Sequence, residues 1–268
     1  MYYQLDYIIS EQLGTPTTFV TNIHKVANSF YSKFIHKNKF KKFEDVIYLD
    51  VALFAGESLN LRDFHLWNAG RPQAYLIVCS PRFRSVLEKL NLPPHRFYNA
   101  EIDVLGKPEN YFVLHFIFEY LDVMNFYYSR FAQAELMKTE PIEKLFAKGE
   151  IENKDQYNAL NTKLIDMDKW VYPRRIVFPT SHQFDVFALG GSIVLSQNAK
   201  NEIEKAGITG VAMPSLNENE YWKGVEIEFA NLPHRKPQAF EYQTKEVSVL
   251  MVEEPKVEYQ PNTNRTIL

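Results

Sequence analysis

Two stretches of the sequence share one pattern of apolar and polar positions. In "AYLIVCSPRFRSVLEKL" (74–90), an apolar run is followed by a serine and then by apolar residues at helical spacing. In "GGSIVLSQNAKNEIEKAG" (190–207) the same order recurs at an offset of 116 residues, with Ser196 in the place of Ser80. A continuous apolar run is typical of a strand covered on both faces, and a serine before an apolar stripe is typical of a helix N-cap. Each stretch therefore predicts a strand, a capping serine and a helix.

Apolar and aromatic runs elsewhere predict further strands. They are "DVIYLDVALF" (45–54), "RFYNAEIDV" (96–104), most of "NYFVLHFIFEYLDVMNFYYSRFA" (110–132) and "RRIVFPT" (174–180). These stretches are rich in the β-branched and aromatic residues that strands favour. The polar stretch "PIEKLFAKGEIENKDQYNALNTKL" (141–164) has a helical pattern instead.

This arrangement predicts an α+β fold in which mixed sheets pack with helices. We expect a single domain over residues 1–245 and a polar C-terminal tail over 246–268, where glutamates, prolines and "QPNTNRT" dominate. Two explanations of the repeated pattern stay open. It marks a duplication, with sub-halves at about 1–110 and 111–245, or it is the chance recurrence of a common strand–serine–helix unit.

Composition and charge bear on the cellular setting. The formal net charge is −3, which argues against nucleic acid as the partner of the whole molecule. The one cysteine, Cys79, excludes an intrachain disulfide framework and fits a reducing compartment. The N-terminus lacks a basic segment followed by an apolar one, and no run approaches the roughly 18 apolar residues of a membrane span. We expect a soluble, cytoplasmic chain with no membrane partner.

The common catalytic and cofactor motifs are missing from the sequence. It contains no G-x-x-x-x-G-K-[ST], G-x-G-x-x-G, H-E-x-x-H, C-x-x-C or G-x-S-x-G pattern. Cys79 ends an apolar strand and is replaced by Leu195 in the second copy, so a core position explains it. Capping explains Ser80 and Ser196. The sequence therefore argues against the common enzyme classes and gives no candidate catalytic residue, metal or cofactor.

A site assembled from distant residues is the rival hypothesis. An enzyme or small-ligand-binding protein could bring Asp63, His65, His115 or Asp122 together in a deep pocket. General acid–base chemistry requires such convergence, which spacing along the chain does not reveal.

Two charged stretches are candidate partner-binding surfaces. The first, between His24 and Phe43, is rich in lysine and interleaved with aromatics; its candidate contacts are Lys33, Lys37, Lys39, Lys41 and Lys42. The alternatives for this stretch are a solvated amphipathic helix and a nucleic-acid-binding module. The second, "NENEYWKGVEIEF" (217–229), is acidic and aromatic; its candidate contacts are Glu218, Glu220, Tyr221 and Trp222.

The segment from about Ala74 to Leu216 resembles a known protein family. The matching pieces are "IVCSPRFRSVLEKL", "YFVLHFIFEYLDVMNFYYS" with Asp122 and Ser129, and "DVFALGGSIVLSQNAKNEIEKAGITG". On these pieces the chain is similar to a family of immunity proteins of bacterial polymorphic toxin systems, long catalogued as a domain of unknown function.

The resemblance implies a cytoplasmic protein that binds a cognate protein toxin and blocks it without catalysis or a cofactor. An aromatic-rich chain suits this role, because tyrosine and tryptophan are frequent interface anchors. The resemblance does not indicate which toxin is bound or through which surface.

Overall fold

A computed structural model describes residues 1–7, 18–24, 47–53, 61–67, 76–104, 107–219 and 221–232 of the chain. It confirms the predicted α+β class, with helices packed on several mixed and antiparallel sheets. The lysines from Lys33 to Lys42, Glu220 and the predicted tail lie outside the described residues. None of the described helices is long and apolar enough to cross a membrane.

The described residues form fourteen strands and four α-helices. The strands are β1 (Tyr2–Tyr7), β2 (Thr18–His24), β3 (Ile47–Leu53), β4 (Phe64–Trp67), β5 (Leu76–Cys79), β6 (His95–Val104), β7 (Lys107–Phe116), β8 (Arg130–Glu135), β9 (Lys144–Leu145), β10 (Lys169–Pro179), β11 (Val186–Leu189), β12 (Ser192–Ser196), β13 (Val211–Ala212) and β14 (Glu226–Ala230). The helices are α1 (Pro81–Leu87), α2 (Tyr120–Val123), α3 (Lys154–Ile165) and α4 (Gln197–Lys205). Short 3-10 turns span Thr180–His182 and Leu216–Glu218.

The strands make three sheets. A closed barrel runs in the order β2-β3-β6-β7-β5-β4, a second sheet in the order β11-β12-β1-β13, and a third in the order β14-β10-β8-β9. Strand β1 pairs antiparallel with β12, so the first residues of the chain join a sheet built from its second half.

A large apolar core connects the three sheets. Its buried residues come from both predicted sub-halves and extend along the chain from Tyr3 to Val225. Along β7, Leu114 and Phe116 belong to this core together with Phe83 of α1. Because side chains alternate along a strand, Tyr111, Val113 and His115 of β7 face the inside of the barrel.

Both predicted strand–serine–helix units are present. Strand β5 leads through Ser80 into α1, and β12 leads through Ser196 into α4. In each unit an antiparallel hairpin precedes the helix, formed by β4 and β5 or by β11 and β12. The second hairpin closes through Gly190 and Gly191, both at positive φ, a backbone conformation that glycine adopts without steric cost.

Two sequence-based assignments were wrong in part. Most of the aromatic stretch 110–132 is not strand, because β7 ends at Phe116 and α2 and a turn precede β8, which begins at Arg130. The helical pattern over 141–164 is helical only from Lys154, where Asn153 caps α3 by accepting a hydrogen bond from the Gln156 amide at 2.9 Å. Pro141 and Gly149 precede this cap and favour turns over a longer helix.

Candidate functional site

The two capping serines have the same surroundings. Ser80 accepts a hydrogen bond from the Phe83 amide at 3.1 Å and donates one to Asp63 Oδ1 at 2.6 Å. Ser196 accepts one from the Ala199 amide at 3.1 Å and donates one to Asp185 Oδ1 at 2.6 Å. The serine amide also donates to the backbone carbonyl of its aspartate, at 2.8 Å in both units. The repeated pattern is therefore repeated in three dimensions down to individual hydrogen bonds.

Each aspartate also binds the segment that follows the helix of the other unit. Asp63 Oδ2 accepts hydrogen bonds from the amide and the hydroxyl of Thr209, both at 2.9 Å, and Thr209 follows α4. Asp185 Oδ2 accepts a hydrogen bond at 3.0 Å from the amide of Asn91, which follows α1. The two units thus brace each other through reciprocal carboxylate contacts.

These contacts assign a structural role to the serines and to Cys79. Burial opposes ionisation of Asp63, but hydrogen bonds from Ser80 and Thr209 and the Arg82 charge outweigh it, so its pKa lies below the ordinary value. Cys79 is fully buried, and burial raises the pKa of its thiol. A protonated thiol in the core is a poor nucleophile.

The four residues that the rival hypothesis would bring into one pocket contact different groups among the described residues. Asp63 binds Ser80 and Thr209, whereas Asp122 binds Lys154 Nζ at 2.7 Å. His65 Nε2 lies 3.4 Å from the Tyr111 hydroxyl, and the ring of His115 stacks on Tyr98 with centroids 6.5 Å apart.

Both histidines of that set are buried. Burial, with the Arg62 charge nearby, lowers the pKa of His65 to about 4, and burial lowers that of His115 to about 4. Both imidazoles are therefore neutral at pH 7. Among the described residues, no group of three or more histidine, cysteine, aspartate and glutamate side chains could hold a metal ion.

A cleft of about 300 Å³ opens on the outer face of the sheet β14-β10-β8-β9. Its lining comes from the turn before β8, the loop after β9, β10, β14 and the residues that follow β14. The lining residues are Tyr128, Arg130, Lys148, Arg175, Val177, Glu228, Ala230, Asn231 and Leu232. Three cationic side chains against one carboxylate give this cleft a positive charge.

Two arginines that line the cleft lie side by side on neighbouring strands. Arg130 of β8 and Arg175 of β10 are directly opposite each other in the antiparallel register, next to a β-bulge at Pro173–Arg175. Arg175 Nε donates to Glu228 Oε2 at 2.9 Å, and a second guanidinium nitrogen donates to the same oxygen. In the part of the chain that the structure describes, Arg130 has no ion pair and is exposed to solvent.

Lys148 and Tyr128 line one side of the cleft, and Tyr127 packs beside them. The Lys148 ammonium lies 4.7 Å from the ring centroid of Tyr127 and 4.8 Å from that of Tyr128. The two rings meet edge to face at a centroid distance of 5.2 Å. Gly149 has a φ of +79° and its Cα lies so near Tyr127 that an added Cβ would approach the ring to 3.3 Å. A residue without a side chain suits this turn, which holds Lys148 over the rings.

A short turn anchors the tyrosines to the sheet. The Asn125 amide donates to the Val177 carbonyl at 2.8 Å, and the Val177 amide donates to Ser129 Oγ at 3.1 Å. Ser129 Oγ also donates to the Asn125 carbonyl at 2.7 Å. Ser129, one of the residues on which the family resemblance depends, therefore fixes the turn that presents Tyr127 and Tyr128.

The candidate contacts in the acidic and aromatic stretch 217–229 differ in their exposure to solvent. Glu218 and Tyr221 are exposed, Tyr221 by 46%. The expectation that Trp222 binds a partner is corrected, because Trp222 is buried, packs edge to face on Tyr120 and donates to Ser192 Oγ at 3.3 Å. Its ring lies against Gly190, where an added Cβ would be 2.7 Å from the indole. Trp222 is therefore a core residue under the β11–β12 turn.

Sequence reasoning missed the cleft. Its residues are distributed from Tyr128 to Leu232, and only strand pairing brings them together. The one local signal is "YYSR" (127–130), two tyrosines and an arginine in a short polar turn between apolar segments.

Comparison of the chain with protein-family models and with curated proteins finds no match.

Proposed function

We propose that this chain is a non-catalytic binding protein that neutralises a cognate bacterial toxin by occluding it. The observation that carries the proposal is the cleft, which combines cationic side chains with tyrosines on one face of a sheet. The resemblance to immunity proteins of polymorphic toxin systems supplies the class of partner. A soluble, cytoplasmic setting belongs to the same proposal.

The chemistry of the cleft suits recognition. Arginine and tyrosine are enriched among the residues that dominate binding energy at interfaces. Arginine side chains present several N–H donors in a fixed, planar arrangement, so Arg130 and Arg175 suit the binding of anionic groups of a partner. The carboxylate of Glu228 is already engaged by Arg175. These groups hold a partner in place without an evident acid–base pair.

A small-ligand-binding protein is the second candidate, favoured by the volume of the cleft. About 300 Å³ is at the lower end of the range for small-molecule pockets. A small anion between Arg130 and Lys148 would satisfy the same charges.

Co-purification of the chain with the product of its neighbouring gene separates the two candidates. We expect a stable one-to-one complex by size-exclusion chromatography with light scattering, formed with the intact partner. A folded chain that forms no complex and instead retains a small anion through purification would contradict the toxin-binding proposal and favour the second candidate.

A further inference from the structure

The charges in the cleft indicate that it lacks a second carboxylate. Arg130 and Arg175 are directly opposite in register, and like charges in that position repel each other. Glu228 offsets the charge of Arg175 alone. Among the described residues, no carboxylate forms an ion pair with Arg130. A second carboxylate beside Arg130 would therefore relieve a repulsion that the folded chain retains.

Glu228 also shows which anion fits. One of its oxygens accepts from two nitrogens of the Arg175 guanidinium, from the neighbouring strand β14. A carboxylate on an extended backbone is thus an anion that this face already accommodates. Hydrogen bonds between an arginine and a carboxylate are charge-assisted and stronger than those between neutral groups.

The walls of the cleft favour a polypeptide over a free inorganic ion. Ala230 and Leu232 provide partly exposed apolar surface, which suits the methylene groups of an acidic side chain. Tyr127 and Tyr128 extend the contact area, and Tyr127 is 39% exposed. Amphipathic tyrosines beside cations are typical of surfaces that bind peptide segments.

We infer that the cleft binds an acidic segment of the protein partner, with Arg130 as the open anchor and Glu228 as an internal counterpart of the partner's carboxylate. The inference rests on the proposed binding function and names the chemistry of the surface that the partner presents. Lys148, held over the tyrosines, adds a second cation for a neighbouring acidic residue of that segment.

Fluorescence anisotropy with a labelled peptide of alternating glutamate and serine tests the inference on the full chain. We expect saturable binding that weakens with added salt and exceeds binding of a lysine–serine peptide. Arg130→Glu should weaken it by about tenfold or more, since it removes one charge-assisted contact and pairs a new carboxylate with Arg175. The matched control Lys89→Glu makes the same charge change at an exposed position outside the cleft and should change affinity less than about twofold.

Glu228→Gln provides a second readout that does not depend on loss of binding. It removes the internal carboxylate that competes for Arg175, so the acidic peptide should bind more tightly than to the native chain. Equal affinities for Arg130→Glu and Lys89→Glu, or displacement of the peptide by inorganic phosphate as effectively as by unlabelled peptide, would overturn the inference.

These outcomes are distinct from those of the proposed function. Absence of peptide binding overturns the inference, whatever the neighbouring-gene product does. Peptide binding through Arg130 without a complex with that product supports the inferred chemistry and contradicts the toxin-binding proposal.

Discussion

Single side chains hold the two strand–serine–helix units in place. Ser80 and Ser196 each satisfy a free amide at a helix N-terminus and bind a carboxylate that also reaches the other unit. Removing either serine hydroxyl leaves an aspartate oxygen and a helix amide without that partner. The cost exceeds that of an ordinary surface cap, because Ser80 is itself buried.

Ser80→Ala should lower the free energy of unfolding by about 2 kcal/mol, through loss of the cap and of the Asp63 hydrogen bond. Ser85→Ala is the matched control, because Ser85 lies on the exposed face of the same helix and its hydroxyl donates to the Pro81 carbonyl. Urea denaturation of both variants measures the difference. Equal stabilities would contradict the role assigned to the Ser80–Asp63 pair.

The fold also requires glycine at position 190 in the β11–β12 turn. Gly190→Ala should destabilise the fold by about 2–3 kcal/mol, since φ is +48° and the new Cβ would overlap the buried Trp222 ring. Gly191→Ala also places a side chain at positive φ, but into open space, so it should cost about 1 kcal/mol. Thermal unfolding of the two variants isolates the Trp222 contact. A cost at Gly191 as large as at Gly190 would remove Trp222 from the explanation.

At the scale of elements, pattern alone located both strand–serine–helix units. Their short-range signals are strong: an apolar run of strand length, a capping serine and a helical stripe that ends near Leu90 or Gly207. The α+β class followed from the same signals. The contacts between the two units could not be predicted from these signals, because Asp63 meets Thr209 and Asp185 meets Asn91 only after the chain folds.

Contacts that form only after the chain folds also explain why Trp222 was assigned to the surface and why the cleft arginines were missed. Trp222 was expected at a surface because acidic neighbours surround it in sequence, yet Gly190 leaves a space beneath the turn that its ring fills. Arg130 and Arg175 were not singled out because no local pattern relates them. Their proximity depends on the register of β8 with β10, including the bulge at Pro173–Arg175.

At the scale of the whole molecule, the barrel encloses two neutral histidines. His65 and His115 have pKa values of about 4, below the value near 6.5 expected in the unfolded chain. The unfolded state therefore binds more protons than the native state between these values. Stability from this source is complete above pH 6.5 and is lost as the pH falls from 6.5 towards 4.

His115→Phe should flatten this dependence. In the native chain the two histidines together cost several kcal/mol of unfolding free energy between pH 7 and 4, each contributing at most roughly 3 kcal/mol. A phenylalanine cannot titrate, so the variant should lose about half of that slope. His95→Phe, which alters a less buried histidine at the start of β6, is the control. Urea denaturation at several pH values gives the slopes, and an unchanged slope in His115→Phe would contradict the assignment.

The proposed function requires the chain to neutralise a protein toxin through the cationic cleft. Growth of cells that express the neighbouring-gene product tests it most directly, with the native chain, Arg130→Glu/Lys148→Glu or Lys89→Glu supplied in the same cells at equal level. We expect the native chain and Lys89→Glu to restore growth and the double cleft variant to fail. Absence of rescue by the native chain, or equal rescue by the double cleft variant, would contradict it.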